Sequence, residues 1–164
     1  MSNQEKISQW FHQYSDDVYH FLIYRTGKTD VEDMVQEVFI RAIKGVESFK
    51  GSASPKTWLF SIARNLAIDE MKKEKWKRLI SFQAFHEPSS LDTPETLYQA
   101  NEETQTLYKA IQELKASYRD VIILRGIKEF TVDETAEVLQ WPPGKVRSTY
   151  HRAKAALHKQ LGGQ

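Results

Sequence analysis

Apolar residues recur at helical spacing along most of the chain, and almost nothing alternates with the two-residue period of a strand. The clearest stripe is Val31, Met34, Val35, Val38, Phe39, Ala42 and Ile43, one continuous face of an amphipathic helix. Asp30 is placed to cap that helix, Asp33 suits its N-terminal dipole, and Gly45 closes it. A preceding helix, roughly Glu5 to Thr26, turns Ile7, Trp10, Phe11, Tyr14, Val18, Phe21 and Leu22 inward and stops at Gly27. A third runs from about Pro55, acceptable in a first turn, to Lys75 and carries Leu59, Ile62, Ala63 and Leu66. Trp58 is expected in the core, Phe60 is open, and Trp76 among its lysines is the better exposed aromatic.

From Leu79 to about Asn101 the periodicity fails. His86-Glu87-Pro88-Ser89-Ser90-Leu91-Asp92-Thr93-Pro94-Glu95 is acidic and turn-forming, as interdomain linkers are, although Phe82 and Phe85 are unusual in a solvated tether. Beyond it, four short helices are expected: Glu103 to Leu114, Ser117 to Lys128, Val132 to Leu139 and Pro143 to Leu161. The pattern therefore predicts an all-α chain of two small helical domains, residues 1–78 and 104–164, joined by a flexible linker over 79–103.

A net charge of +1 gives no hint of nucleic acid, but its distribution does. Residues 1–80 hold 13 basic and 11 acidic side chains, residues 81–103 five acidic and none basic, and residues 104–164 ten basic and six acidic. After Glu137 there are five basic residues and no acid. Two basic patches thus flank an acidic stretch. Cysteine is absent, which excludes a disulfide framework and thiolate metal sites and fits a reducing compartment. The N-terminus lacks a signal-peptide core, and no apolar run approaches the ~20 residues of a membrane span. A soluble, cytoplasmic protein without direct membrane insertion is expected.

The last two helices have helix-turn-helix spacing. Thr131-Val132-Asp133-Glu134 reads as a capping box, Ala136 is small where a second helix must cross, and Trp141-Pro142-Pro143-Gly144 makes the turn. The final helix turns Val146, Tyr150, Ala153, Leu157 and Leu161 inward and presents Lys145, Arg147, Ser148, His151, Arg152 and Lys154 outward. Such a basic, acid-free face suits the major groove, where arginine bonds guanine bidentately and lysine holds phosphate. A solvated basic face on a small bundle is the plainer alternative.

The helix from Val31 shows Glu32, Asp33, Gln36 and Glu37 opposite its apolar stripe, beside Arg41. Asp33 and Glu37, one turn apart, could hold a metal, but His12, His20, His86, His151 and His158 are scattered, so neither a metal, a cofactor nor a catalytic site is expected.

Three segments in order, VEDMVQEVFIRA from Val31, SFKGSASPKTWLFSIARNLAIDEMKKEK from Ser48 and YRDVIILRGIKEFTVDETAEVL from Tyr118 followed by GKVRSTYHRAKAAL, resemble an extracytoplasmic-function (ECF) sigma factor of the sigma-70 family. The resemblance implies a region 2 domain, a region 4 domain and no region 3. It implies a non-enzymatic factor that binds core RNA polymerase through the β′ clamp and β flap and recognises promoter DNA. By likeness, Asp33, Gln36 and Glu37 dock on the β′ coiled coil. Lys50, Ser52, Ser54 and Lys56 help capture an unstacked base of the −10 element, which Arg64, Asn65, Asp69, Lys72 and Lys73 would also face. Arg147, Ser148, His151 and Arg152 match −35-reading positions, with Lys145 and Lys154 beside them. Lys145 and Thr149 stand where the family often has threonine and arginine, so a shifted phosphate register or −35 preference is expected. The resemblance also implies an anti-sigma factor, commonly membrane-anchored. A stand-alone helix-turn-helix regulator is the alternative; it has no need for the segments at Val31 and Ser48. A metal-dependent helical hydrolase lacks a ligand set.

Overall fold

The computed structural model describes residues 2–28, 30–49, 51, 53–81 and 101–162. Among them there are helices and no strand. Three helices build an N-terminal unit: α1 (Asn3–Thr26), α2 (Glu32–Gly45, continued by a 3-10 turn at Val46–Ser48) and α3 (Pro55–Ile80). Ser2 caps α1 by accepting from the Glu5 amide at 3.2 Å, and Gly27 ends it in the left-handed conformation at φ 70°. Ser54 caps α3 in the same way through the Thr57 amide (3.1 Å), with Pro55 as its first residue. Asp30 does not cap α2; the N-cap is Val31, which makes no side-chain bond. Val31 is wholly buried, so packing sets the start of this helix.

Four more helices form the C-terminal unit: α4 (Glu102–Gln112), α5 (Ala116–Val121), α6 (Val132–Leu139) and α7 (Pro143–Gln160). The expected helix from Ser117 to Lys128 is α-helical only to Val121. It then widens into a π-helical segment, Ile122–Ile127, in which the Lys128 amide donates to the Ile123 carbonyl five residues back. The capping box of α6 is complete: the Glu134 amide donates to Thr131 Oγ1 (3.0 Å) and the Thr131 amide to Glu134 Oε1 (2.8 Å). Gln140 in the left-handed conformation (φ 57°) ends α6, so it reverses the chain ahead of the proline pair.

Leu79 and Ile80, within the expected linker, continue α3, and Asn101 already caps α4 by accepting from the Thr104 amide. Residues 82–100, including Phe82, Phe85 and the acidic run, lie outside the described residues. The two units pack on each other. Phe21, Phe60 and Phe130 pack in series as tilted rings with centroids 5.3 and 4.9 Å apart, so one apolar core runs through both. Tyr24 meets Tyr108 edge-on at 5.5 Å.

Candidate functional site

On α2, Asp33 and Gln36 are exposed and Glu37 is half-buried, on the face opposite Met34, Val35 and Val38. Glu37 Oε1 accepts from Arg41 Nε at 3.3 Å, and Arg41 reaches Asp69 of α3 at 3.6 Å, which fixes the flank of this face. Ile40 is exposed beside it, and Ile43, assigned inward from the periodicity, is 52% exposed. The stripe is wider than the groove beneath it, so its edge residue is left outside. The result is an acidic and polar face with aliphatic neighbours that no element covers among the described residues.

On α7 all six outward residues, Lys145, Arg147, Ser148, His151, Arg152 and Lys154, are exposed. Two are braced over aromatic rings: Lys145 Nζ lies 4.3 Å from the Trp141 centroid and Lys154 Nζ 4.6 Å from Tyr150. Val146 and Ala153 are fully buried and hold the helix against the unit. Leu161 lies past the end of α7 and is exposed rather than inward. Thr149 is 4% exposed and packs inside the unit, whereas Lys145 is exposed.

The residues expected at the −10 element divide. Lys50 and Ser52 lie outside the described residues. Ser54 spends its hydroxyl on the α3 cap. Asn65, Lys72 and Lys73 are exposed along α3, and Lys73 pairs with Glu70 at 3.8 Å. Lys56 and Arg64 are held by the other unit: Lys56 Nζ sits 4.9 Å from the Phe130 centroid, and Arg64 Nε lies 3.4 Å from Asp120 Oδ2. Trp58 is half-buried against Trp10 and Phe49, Phe60 is core, and Trp76 is 64% exposed. Arg64, Lys72 and Lys75 of α3 line an open cleft of about 420 Å³ facing Ser117 and Arg119.

At its base is the most buried charge pair described. Arg25 (4% exposed) donates from Nε to Asp120 Oδ1 (1% exposed) at 2.6 Å. Arg119 donates to the carbonyls of Arg25 (2.8 Å), Gln112 and Leu114; burial, then the neighbouring Arg25 charge, lowers its pKa. Gln112 Nε2 donates to the Tyr24 carbonyl at 2.7 Å, and Lys128 Nζ reaches Asp17 Oδ1 at 3.0 Å. Burial pushes the Tyr108 hydroxyl up to about 12 and raises Tyr24 as well. His20 is lowered by desolvation and by Lys128.

The Sigma-70 region 2 family model matches residues 10–77, and that of Sigma-70, region 4, matches residues 104–157. The ECF RNA polymerase sigma factor SigX of Bacillus subtilis (strain 168) is 34% identical over 96% of this chain and 84% of its own. The chain belongs to the ECF sigma factor family. The RNA polymerase sigma factor YlaC of the same organism is 30% identical over 98% of this chain and 95% of its own. Among solved structures, the sigma factor RpoE in complex with the anti-sigma factor NepR from Bartonella quintana covers 96% of this chain and 98% of its own, at 26% identity and a TM-score of 0.78. As an RNA polymerase sigma factor, the protein directs transcription initiation. The stand-alone regulator is not favoured.

The sequence reading of this sigma factor missed the groups that join its units: Asp17, Arg25, Asp120, Lys128 and Phe130. A signal was present for two. Arg25 shares the apolar face of Val18, Phe21 and Leu22, and Asp120 lies one turn before Leu124 on an apolar helix. A charge on a face that must be buried has to find its opposite.

Proposed function

We propose that this sigma factor divides its work among three surfaces. The α2 face of Asp33, Gln36 and Glu37, with Ile40 and Ile43 beside it, docks on core polymerase. The segment leading into α3, with Lys50, Ser52, Ser54 and Lys56, engages the −10 element together with Arg64, Asn65, Lys72 and Lys73. The α7 face of Lys145, Arg147, Ser148, His151, Arg152 and Lys154 reads the −35 element. Residues 1–78 and 104–164 are then the region 2 and region 4 domains, with 79–103 between them. What carries this reading is one chain holding both an acidic and aliphatic face on α2, uncovered among the described residues, and an exposed, acid-free basic face on a capped helix-turn-helix. The first suits a protein partner and the second suits DNA.

The protein acts as a non-enzymatic factor in the cytoplasm; among the described residues no helix is long and apolar enough to cross a membrane. The RpoE relative was solved with the anti-sigma factor NepR, which supports an anti-sigma partner here.

Reconstituted run-off transcription with core polymerase tests the reading. Promoter-specific transcripts that require this protein are expected, and their absence with well-folded protein on a genome-wide template pool would sink it. Asp33→Ala with Glu37→Ala is expected to abolish core binding while leaving helix content and melting intact. Unchanged core affinity would remove α2 as the docking face.

A further inference from the structure

The cations on the α7 face are not held alike. Lys145 and Lys154 each lie over an aromatic ring, Trp141 at 4.3 Å and Tyr150 at 4.6 Å, whereas Arg147 and Arg152 have no ring beneath them among the described residues. Both rings are half-buried and packed against the apolar core, so they move with the body of the unit. The Arg125 guanidinium also lies 5.2 Å from Tyr150, but it donates to the Phe130 carbonyl at 2.6 Å and is tied down. Neither lysine has a carboxylate partner among the described residues. Lys145 is the third residue of α7, at the positive end of the helix dipole, where a cation gains nothing from the helix itself.

The places of the two lysines round the helix are a second observation. They are nine positions apart, which at about 100° and about 1.5 Å per residue puts them on opposite sides of α7 and about 13 Å apart along it. Arg147, Ser148, His151 and Arg152 all fall in the exposed half-turn between those sides, with Val146, Thr149, Tyr150 and Ala153 in the inward half. A helix with its side chains is about 10–12 Å across, and the major groove is about 12 Å wide. Seated there with its exposed half on the base edges, α7 turns one flank to each sugar-phosphate wall. An ammonium resting on a ring keeps N–H donors for a phosphate oxygen, and a stem already laid down has less freedom to lose on binding.

We propose that Trp141 and Tyr150 are positioning residues that hold Lys145 and Lys154 as a pair of phosphate clamps, one on each wall of the major groove. The four residues between the lysines are left to the base edges. The clamp rests on the reading of α7 as the −35-binding helix. Its task is to seat that helix at one depth and angle, and it gives the turn residue Trp141 a part in DNA binding without contact to a base.

Holoenzyme assembled from the full chain and core polymerase is used to select duplexes from a pool randomised over both promoter elements. Affinity for a recovered duplex, and for the same duplex with its −35 region scrambled, is then followed against salt. Lys145→Ala and Lys154→Ala are each expected to weaken both duplexes about fivefold at about 0.15 M salt and to lower the salt slope by about 1, with the selected sequence unchanged. Neutral methylphosphonates scanned along each strand should lose their effect at one site on one strand in Lys145→Ala, and on the other strand in Lys154→Ala. Trp141→Leu is expected to weaken binding about two- to fivefold with the slope kept, and Trp141→Phe to restore most of the loss. In the Lys145→Ala background Trp141→Leu should add nothing, and Tyr150→Leu should behave in the same way towards Lys154→Ala. A selected sequence that changes with either lysine, both lysines mapping to one strand, or an equal loss from Trp141→Leu with and without Lys145 overturns the clamp alone. If wild-type holoenzyme recovers no preferred −35 sequence, the −35 reading is rejected and the clamp goes with it.

Discussion

Replacing Asp120 with alanine should be the most damaging single change to the contact between the units. Its carboxylate lies 2.6 Å from Arg25 Nε and 3.4 Å from Arg64 Nε. Arg64 is at the cleft edge and can turn to solvent, so its loss contributes little. Arg25 cannot: it is 4% exposed, and without Asp120 its charge stays buried. Breaking a buried pair from one side costs about 3–5 kcal/mol, a large share of the ~5–15 kcal/mol that holds a domain. Asp120→Asn keeps a neutral acceptor of the same shape, and about 1–3 kcal/mol is expected. Urea unfolding is the assay, followed by circular dichroism and tryptophan fluorescence. Wild type should show one coincident transition because one core spans both units. The alanine variant should shift to lower urea and split, with the C-terminal unit melting first. A loss below about 1 kcal/mol with coincident transitions would refute the reasoning, since Arg25 would then not depend on Asp120.

Three further outcomes are expected. Gly27→Ala must hold φ 70° and place its Cβ 2.5 Å from Gln112 Oε1. A loss of about 2 kcal/mol or more follows; thermal melts of Gly27→Ala alone and with Gln112→Ala check it, and no recovery in the double variant would remove the steric part. Tyr108 ionises at about 12 in the fold against about 10 when unfolded. Its contribution is therefore complete below pH 10 and is lost as the pH rises from 10 towards 12, by about 2–3 kcal/mol. Urea midpoints between pH 9 and 11.5 should fall in wild type and fall less in Tyr108→Phe; parallel curves would exclude Tyr108 as the source. Arg147→Ala should cost about 1–3 kcal/mol at a cognate −35 site in fluorescence anisotropy, and equal weakening on every sequence would make Arg147 a phosphate contact.

What could be read from the sequence was local. The apolar stripes of α1, α2 and α3, the Thr131 capping box and Pro55 at a first turn all depend on residues within four positions of one another. The basic face of α7 was legible for the same reason. Periodicity fails at a stripe edge, where depth of burial depends on the facing element: Ile43 falls outside. It fails also where one residue changes the backbone state, as at Gln140. The inter-unit contact was the least accessible part. Arg25 and Asp120 are 95 residues apart, and helical spacing says nothing about which two stripes will meet.

The π-helical segment Ile122–Ile127 has a consequence for helical phase. Each residue of an α-helix turns the chain by about 100°, and the wider turn absorbs a residue that an α-helix would spend on rotation. Lys128 and Phe130 follow this segment directly and both face the N-terminal unit. Wound as a regular α-helix with the same residues, this segment would carry Lys128 and Phe130 about 100° round the axis and off their partners. The match between the two units is thus set by a rotational offset as much as by the identity of the side chains that meet.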